Sequence, residues 1–234
     1  PTSIRARGWI YQITGEWNKS EQLYNEALKV SQDHDDYQNI SLCCQHLGLL
    51  HFDKGEYAKA VEYFAKTAEI LEKHEMRLWK IGTSWRLAIP YVELKEFEKA
   101  KKLLEDVSKF AQESSEQRWL VLRVGLLSAV LLRAEKKWDE SINQFERTLK
   151  EWEAMNPRRW DVYDFARFIY EYARVYVDRD EKGDREKTHS LLNQAMEMFQ
   201  KVGAKKDIEK TTRLLEALHP PATQAHEGAV SPEG

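Results

Sequence analysis

The chain has 234 residues, of which 42% are hydrophobic, 32% charged and 11% aromatic, with 36 basic against 39 acidic side chains and a net charge of −3. Ten glycines and six prolines make up about 7% of the chain against roughly 12% in average usage, too few for a many-turned β sandwich or barrel. A charge fraction above the usual ~25% beside an ordinary apolar fraction fits helices that each bury one stripe, and excludes a collagen, a disulfide scaffold and a disordered chain.

Apolar-periodic residues begin almost at once, with no leading methionine, so the chain is expected to be a piece of something longer. The first helix is read up to a turn at Gly15-Glu16, and Trp17-Asn18-Lys19-Ser20 starts the next. Polar Asp33-His34-Asp35-Asp36 ends that second helix. The same punctuation returns at Gly55-Glu56-Tyr57-Ala58-Lys59-Ala60, at Lys95-Glu96-Phe97-Glu98-Lys99-Ala100 and at Lys136-Lys137-Trp138-Asp139-Glu140-Ser141. A degenerate fifth copy is Gly183-Asp184-Arg185-Glu186-Lys187-Thr188, where Arg179 to Lys182 reads as an insertion if Ala173 and Tyr176 are its small and large positions. Cys43 and Cys44 are adjacent, a spacing that a helix cannot bridge with a disulfide. The longest apolar run, Trp119 to Leu132, is interrupted by Arg123 and is too short to span a bilayer, so it is read as a buried helix. The last helix, Ala204 to Leu218, carries Ile208, Leu214, Leu215 and Leu218 and reads as a cap. Residues 219–234 are rich in Pro, Gly and Ala and are expected to be disordered.

The copies are in phase. Trp17, Tyr57, Phe97 and Trp138 are spaced by 40, 40 and 41 residues, and three after each lies Ser20, Ala60, Ala100 or Ser141. Nine before each lies Gly8, Gly48, Ala88 or Ala129; six before, Tyr11, His51, Tyr91 or Leu132; seven after, Tyr24, Phe64, Leu104 or Phe145. Offsets of three, four and seven place these on one helical face. Small residues allow two helix backbones to approach, and large ones fill the space beside them. The unit is a helix–turn–helix that buries its face on a neighbour.

This pattern resembles the tetratricopeptide repeat family. Gly48, His51, Tyr57, Ala60 and Phe64 occupy that family's consensus places in the second copy, and Ala88, Tyr91, Phe97, Ala100 and Leu104 in the third. Two departures are a period longer than the usual 34 residues, which predicts longer helices, and the missing terminal proline. The resemblance implies an all-α, right-handed α-solenoid of about five antiparallel helix pairs plus a C-terminal capping helix. Its repeats fall at about 1–34, 35–75, 76–115, 116–156 and 157–203, with the cap at 204–218. Met198 to Ala204 is similar to the end of such arrays in bacterial signal-transducing regulators. Charge, low glycine and repeat together are read as one extended array without a single globular core.

The resemblance also implies a concave groove lined by the first helix of each pair. Carried over residue by residue, its ligand-facing positions are Arg5, Trp9 and Gln12; Gln45, Leu49 and Phe52; Trp85, Ile89 and Glu93; Arg123, Leu126 and Arg133; and Arg167, Tyr170 and Arg174. Trp, Tyr and Arg are enriched at binding hot spots, and the arginines would give the groove a basic end. The alternative is that the aromatics are buried against second helices and the arginines pair with Glu171 or Asp178. The expected function is a non-catalytic module, without cofactor or metal, holding a protein or peptide of acidic character within a larger signalling or scaffold protein. The alternative is a ligand- or peptide-sensing regulatory domain of a bacterial regulator. With a pI near 6.2, nucleic acid and membrane are not expected partners, and the location is read as cytoplasmic. His46 with Cys43, His51 with Cys44, and the calcium-loop-like Asp178 to Gly183 are read as structural. That loop has Lys182 at its fifth place and His189 at its twelfth, where oxygen ligands belong.

Overall fold

The computed structural model describes residues 1–113, 118–154 and 162–218; the expected disordered tail lies outside the described residues. Among these there are eleven α-helices and no strand: α1 (Thr2–Ile13), α2 (Trp17–Gln32), α3 (Tyr37–Asp53), α4 (Tyr57–Lys73), α5 (Arg77–Glu93), α6 (Phe97–Glu113), α7 (Arg118–Ala134), α8 (Trp138–Ala154), α9 (Val162–Arg179), α10 (Asp184–Val202) and α11 (Lys205–Leu218). Consecutive helices pack as pairs and each pair packs on the next, so the fold is an all-α solenoid.

The turn chemistry explains the punctuation. Two residues before each aromatic the backbone enters the left-handed region, at Gly15 (φ 84°), Gly55 (80°), Lys95 (62°) and Lys136 (61°). That reversal lets the next amide reach back five residues: Glu16 N–H donates to the Tyr11 carbonyl and Glu56 to that of His51, each at 2.8 Å. Glu96 donates likewise to Tyr91 and Lys137 to Leu132. These bonds satisfy helix-end carbonyls that would otherwise be orphaned. They also fix the distance from the last inward residue of one helix to the first aromatic of the next.

The small positions do what the spacing predicts. A Cβ at Gly8 would stand 2.6 Å from Tyr24 Cε1, and one at Gly48 2.9 Å from Phe64 Cε1. Tyr24 and Phe64 are fully buried in the space that these glycines leave. Ser20 Oγ donates to the Gly8 carbonyl at 2.9 Å, and Ser141 Oγ to the Ala129 carbonyl at 2.8 Å, so the small residue after the aromatic ties the second helix to the first. A close approach absent from the sequence reading occurs at Gly125, where a Cβ would collide with the Thr148 side chain.

The odd-numbered helices form the inner layer, with α1 against α3, α5 against α7 and α7 against α9. The largest buried cluster runs from Trp85 to Ala204, and two smaller ones centre on Tyr24 with Leu47 and on Phe64 with Leu87. The expectation of an extended array needs correcting here, because the two ends meet. Trp9 of α1 packs edge-on against Tyr163 of α9 with ring centroids 5.7 Å apart. Arg167 of α9 pairs with Asp53 of α3 at 3.3 Å, and Arg174 with Glu93 of α5 at 3.6 Å. Lys206 of α11 lies under Gly15 and 5.8 Å from the Trp17 ring. The helix read as a cap therefore touches the first pair as well as α10. Curvature accumulated over five long units brings the inner layer around on itself.

Candidate functional site

The closed inner layer encloses a cavity of about 290 Å³. Of the predicted groove residues, Trp9, Gln45, Leu49, Phe52, Trp85, Ile89, Glu93, Arg123, Leu126 and Arg167 line it. Arg5, Gln12, Arg133, Tyr170 and Arg174 do not. Gln12 is buried between the first two pairs, donating to Asp53 at 2.6 Å and accepting from the Tyr24 hydroxyl at 2.8 Å. Arg133 is only 5% exposed. Tyr170 lies against Phe199 with centroids 6.5 Å apart.

The aromatics divide between the two alternatives of the sequence reading. Trp85 is buried, at 7% exposure, while Trp9 and Phe52 are half-buried at the cavity wall. Trp85 is held by cations on its ring: Arg86 stands 4.6 Å and Arg123 4.7 Å from its centroid.

The arginines do not present a bare basic end. Arg123 pairs with Asp164, and Arg133 reaches Glu171 at 2.6 Å and Asp178 at 3.5 Å. Arg167 is on Asp53 and Arg174 on Glu171 at 3.1 Å. Desolvation makes an unpaired charge expensive, so each of these cations brought inward by closure is matched by a carboxylate of the inner layer. The two guanidiniums beside Glu171 outweigh its burial and hold that carboxyl down to about 2. Arg123 likewise keeps Asp164 below the ordinary carboxylate range although burial pushes it up.

Cavity residues outside the predicted set include His46, Arg86 and Tyr163. The signal for two of them was present, because His46 and Arg86 are 40 residues apart and each follows a predicted position, Gln45 and Trp85. His51 is packed rather than poised: Nδ1 contacts Glu56 at 2.7 Å and the ring stacks on Tyr63 at 5.2 Å. Cys43 and Cys44 are free and buried, and burial pushes the Cys43 thiol up to about 11. In the acidic loop Asp184 is engaged by Arg179, at 2.7 and 3.0 Å, and by the Glu181 amide. No group of three or more His, Cys, Asp or Glu among the described residues is placed to hold a metal ion. No helix among them is long and apolar enough to cross a membrane.

Residues 2–73 match the family model described as tetratricopeptide repeat. The first two helix pairs, α1 to α4, thus carry tetratricopeptide repeats. No curated protein matches it. Among solved structures, BtubC (BKLC) from P. vanneervenii shares 20% identity at a TM-score of 0.59, over 98% of this chain and 86% of that one. A putative kinesin light chain from Podosopora anserina with nearly identical TPR-like repeats shares 19% at 0.53, over 86% and 95%. A point variant of that kinesin light chain shares 19% at 0.54, over 86% and 94%. At these identities the likeness is one of fold. The helix pairs here differ in length from the usual tetratricopeptide period, and helices α2 to α8 run to 16 or 17 residues.

Proposed function

We propose that this tetratricopeptide-repeat chain is a non-catalytic, cytoplasmic binding module whose concave face holds a protein or peptide segment for a larger signalling or scaffold protein. The observation that carries the reading is the inner cavity. Side chains from six different helices converge on it, and the half-buried Trp9, Leu49, Phe52 and Ile89 supply an apolar wall. Helical repeats of this kind commonly serve as protein-interaction scaffolds. Apolar and aromatic anchors in a desolvated concavity carry most of the energy in such contacts. Because Arg123, Arg133, Arg167 and Arg174 already face carboxylates of the chain itself, the anchor of the partner is read as apolar, with charge at its flanks.

The test is selection of peptides from a displayed random library on the immobilised chain. Selected peptides should lose at least tenfold in affinity when Phe52 or Ile89 becomes Ala, and should be unaffected by Lys66→Ala on the exposed outer helix α4. Peptides that bind the Phe52→Ala and Ile89→Ala variants as tightly as the parent would place binding elsewhere and overturn the reading.

A further inference from the structure

A buried hydrogen-bond donor without a partner is costly, and several together call for an acceptor. Three buried side-chain polar atoms on the inner face of the first three pairs lack a hydrogen-bond partner among the described residues: Arg5 Nε, His46 Nδ1 and Trp85 Nε1. Arg5 Nη1 lies 3.5 Å from His46 Nε2. A guanidinium can only donate, so Nε2 accepts and the ring proton is assigned to Nδ1. All three orphans are then donors.

Arg86 completes the group. It lines the cavity beside His46 and Trp85, and its one hydrogen bond among the described residues is from Nη1 to the Gly82 carbonyl of its own helix, at 2.7 Å. Four other inner arginines have carboxylates; Arg86 has none within ion-pair distance among the described residues. Asp164, which attracts it, is engaged by Arg123. Burial and the neighbouring Arg123 lower the Arg86 guanidinium to about 10. His46, buried between the fields of Arg5 and Arg86, is pushed down to about 3 and is neutral. The cavity lining thus includes one arginine with no carboxylate at ion-pair distance and two unpartnered N–H groups, together with the apolar side chains of Leu49, Phe52 and Ile89.

We propose that the inner cavity is a site for a small amphipathic oxyanion, a carboxylate or phosphate carried on a flat apolar body. The oxyanion sits at Arg86, Trp85 Nε1 and His46 Nδ1, and the body lies against Leu49, Phe52 and Ile89. The cavity, about 290 Å³, is near the lower end of the ~300–1,000 Å³ of small-molecule sites. This goes beyond segment binding on the concave face, since the small ligand binds without any partner.

Calorimetric titration of the whole chain tests it, with 2-naphthoate, 2-naphthyl phosphate, uncharged 2-naphthamide and inorganic phosphate as probes. One or both of the naphthyl anions should bind in the sub-millimolar range, at least tenfold tighter than the amide and tighter than inorganic phosphate. The stronger of the two anions identifies the headgroup. Arg86→Gln should weaken the anion at least tenfold and leave the amide unchanged; Trp85→Phe, which keeps a ring and removes the N–H, should weaken the anion at least threefold. Circular dichroism checks that each variant folds, and Trp85→Phe decides alone if Arg86→Gln does not. No heat with either anion at millimolar concentration, equal affinity for amide and anion, or anion binding indifferent to the folded variants overturns the proposal. Because no partner is present, such a failure leaves the peptide selection standing, and loss of the peptide effect leaves this site standing.

Discussion

Lys95 and Lys136 stand at the left-handed turn position that the first two units give to Gly15 and Gly55. A side chain there costs about 1–2 kcal/mol relative to glycine. Lys136 is exposed and its amide is tied only into the turn. Lys136→Gly should therefore raise stability by about 1 kcal/mol, offset in part by greater freedom of the unfolded chain, and raise the midpoint of a thermal melt by roughly 2–4 °C. A second residue-scale effect concerns Glu171, whose carboxyl is held down to about 2 in the folded chain against an ordinary 4.5. A depressed folded value means that its stabilisation is present above pH 4.5 and is lost as pH falls towards 2. Urea melts between those limits should show the stability gap between the parent and Glu171→Gln closing as pH falls; a constant gap would show that Glu171 is not ionised in its pair.

At the scale of the element, the helix pair is the unit that the sequence spells out. Its small position, its turn, its aromatic and the large residue seven after it recur through the first four copies because one backbone approach and one chain reversal must be repeated in each. Gly48 and Phe64 are the clearest case: the glycine is tight against a ring that is only 1% exposed. Gly48→Ala should cost about 1–3 kcal/mol through overpacking, as is typical of a methyl forced into a filled core, read as a lowered denaturation midpoint with an unchanged slope. An unchanged midpoint would mean that α3 and α4 can part without penalty. Gly125 against Thr148 makes the same kind of contact between α7 and α8. It stands one turn away from the recurrent small position at Ala129, so no period marked it.

The whole molecule is governed by closure. Asp53 and Arg167 join the second pair to the fifth, both of them only partly exposed, while Gln12 and Phe52 support the same junction. A double-mutant cycle on Asp53→Ala and Arg167→Ala should give a coupling of about 0.5–3 kcal/mol. Each single variant should also raise hydrogen exchange in both α1 and α9 rather than only in the mutated helix. Additive effects, or exchange confined to one end, would show that the ends touch without supporting each other.

Amino-acid order by itself determined the helix pairs, their phase and the face that each first helix turns inward, because these depend on contacts within one period. Ten of the fifteen groove positions carried by the resemblance line the cavity for that reason. Pairings between adjacent inner helices, such as Arg123 with Asp164, 41 residues apart, and Arg133 with Glu171, 38 apart, also lie near one period and were legible in principle. Only the tertiary structure decided that the arc closes, that Trp9 meets Tyr163, and that Asp53 and Glu93 neutralise Arg167 and Arg174. Each of those contacts spans several units and depends on the summed small rotations from one pair to the next, a quantity that no single repeat encodes. The same curvature leaves Trp85 Nε1 without a partner and Arg86 without a carboxylate, while Arg123 and Arg167 beside them are paired, so the chemistry of the cavity was settled by shape and not by motif.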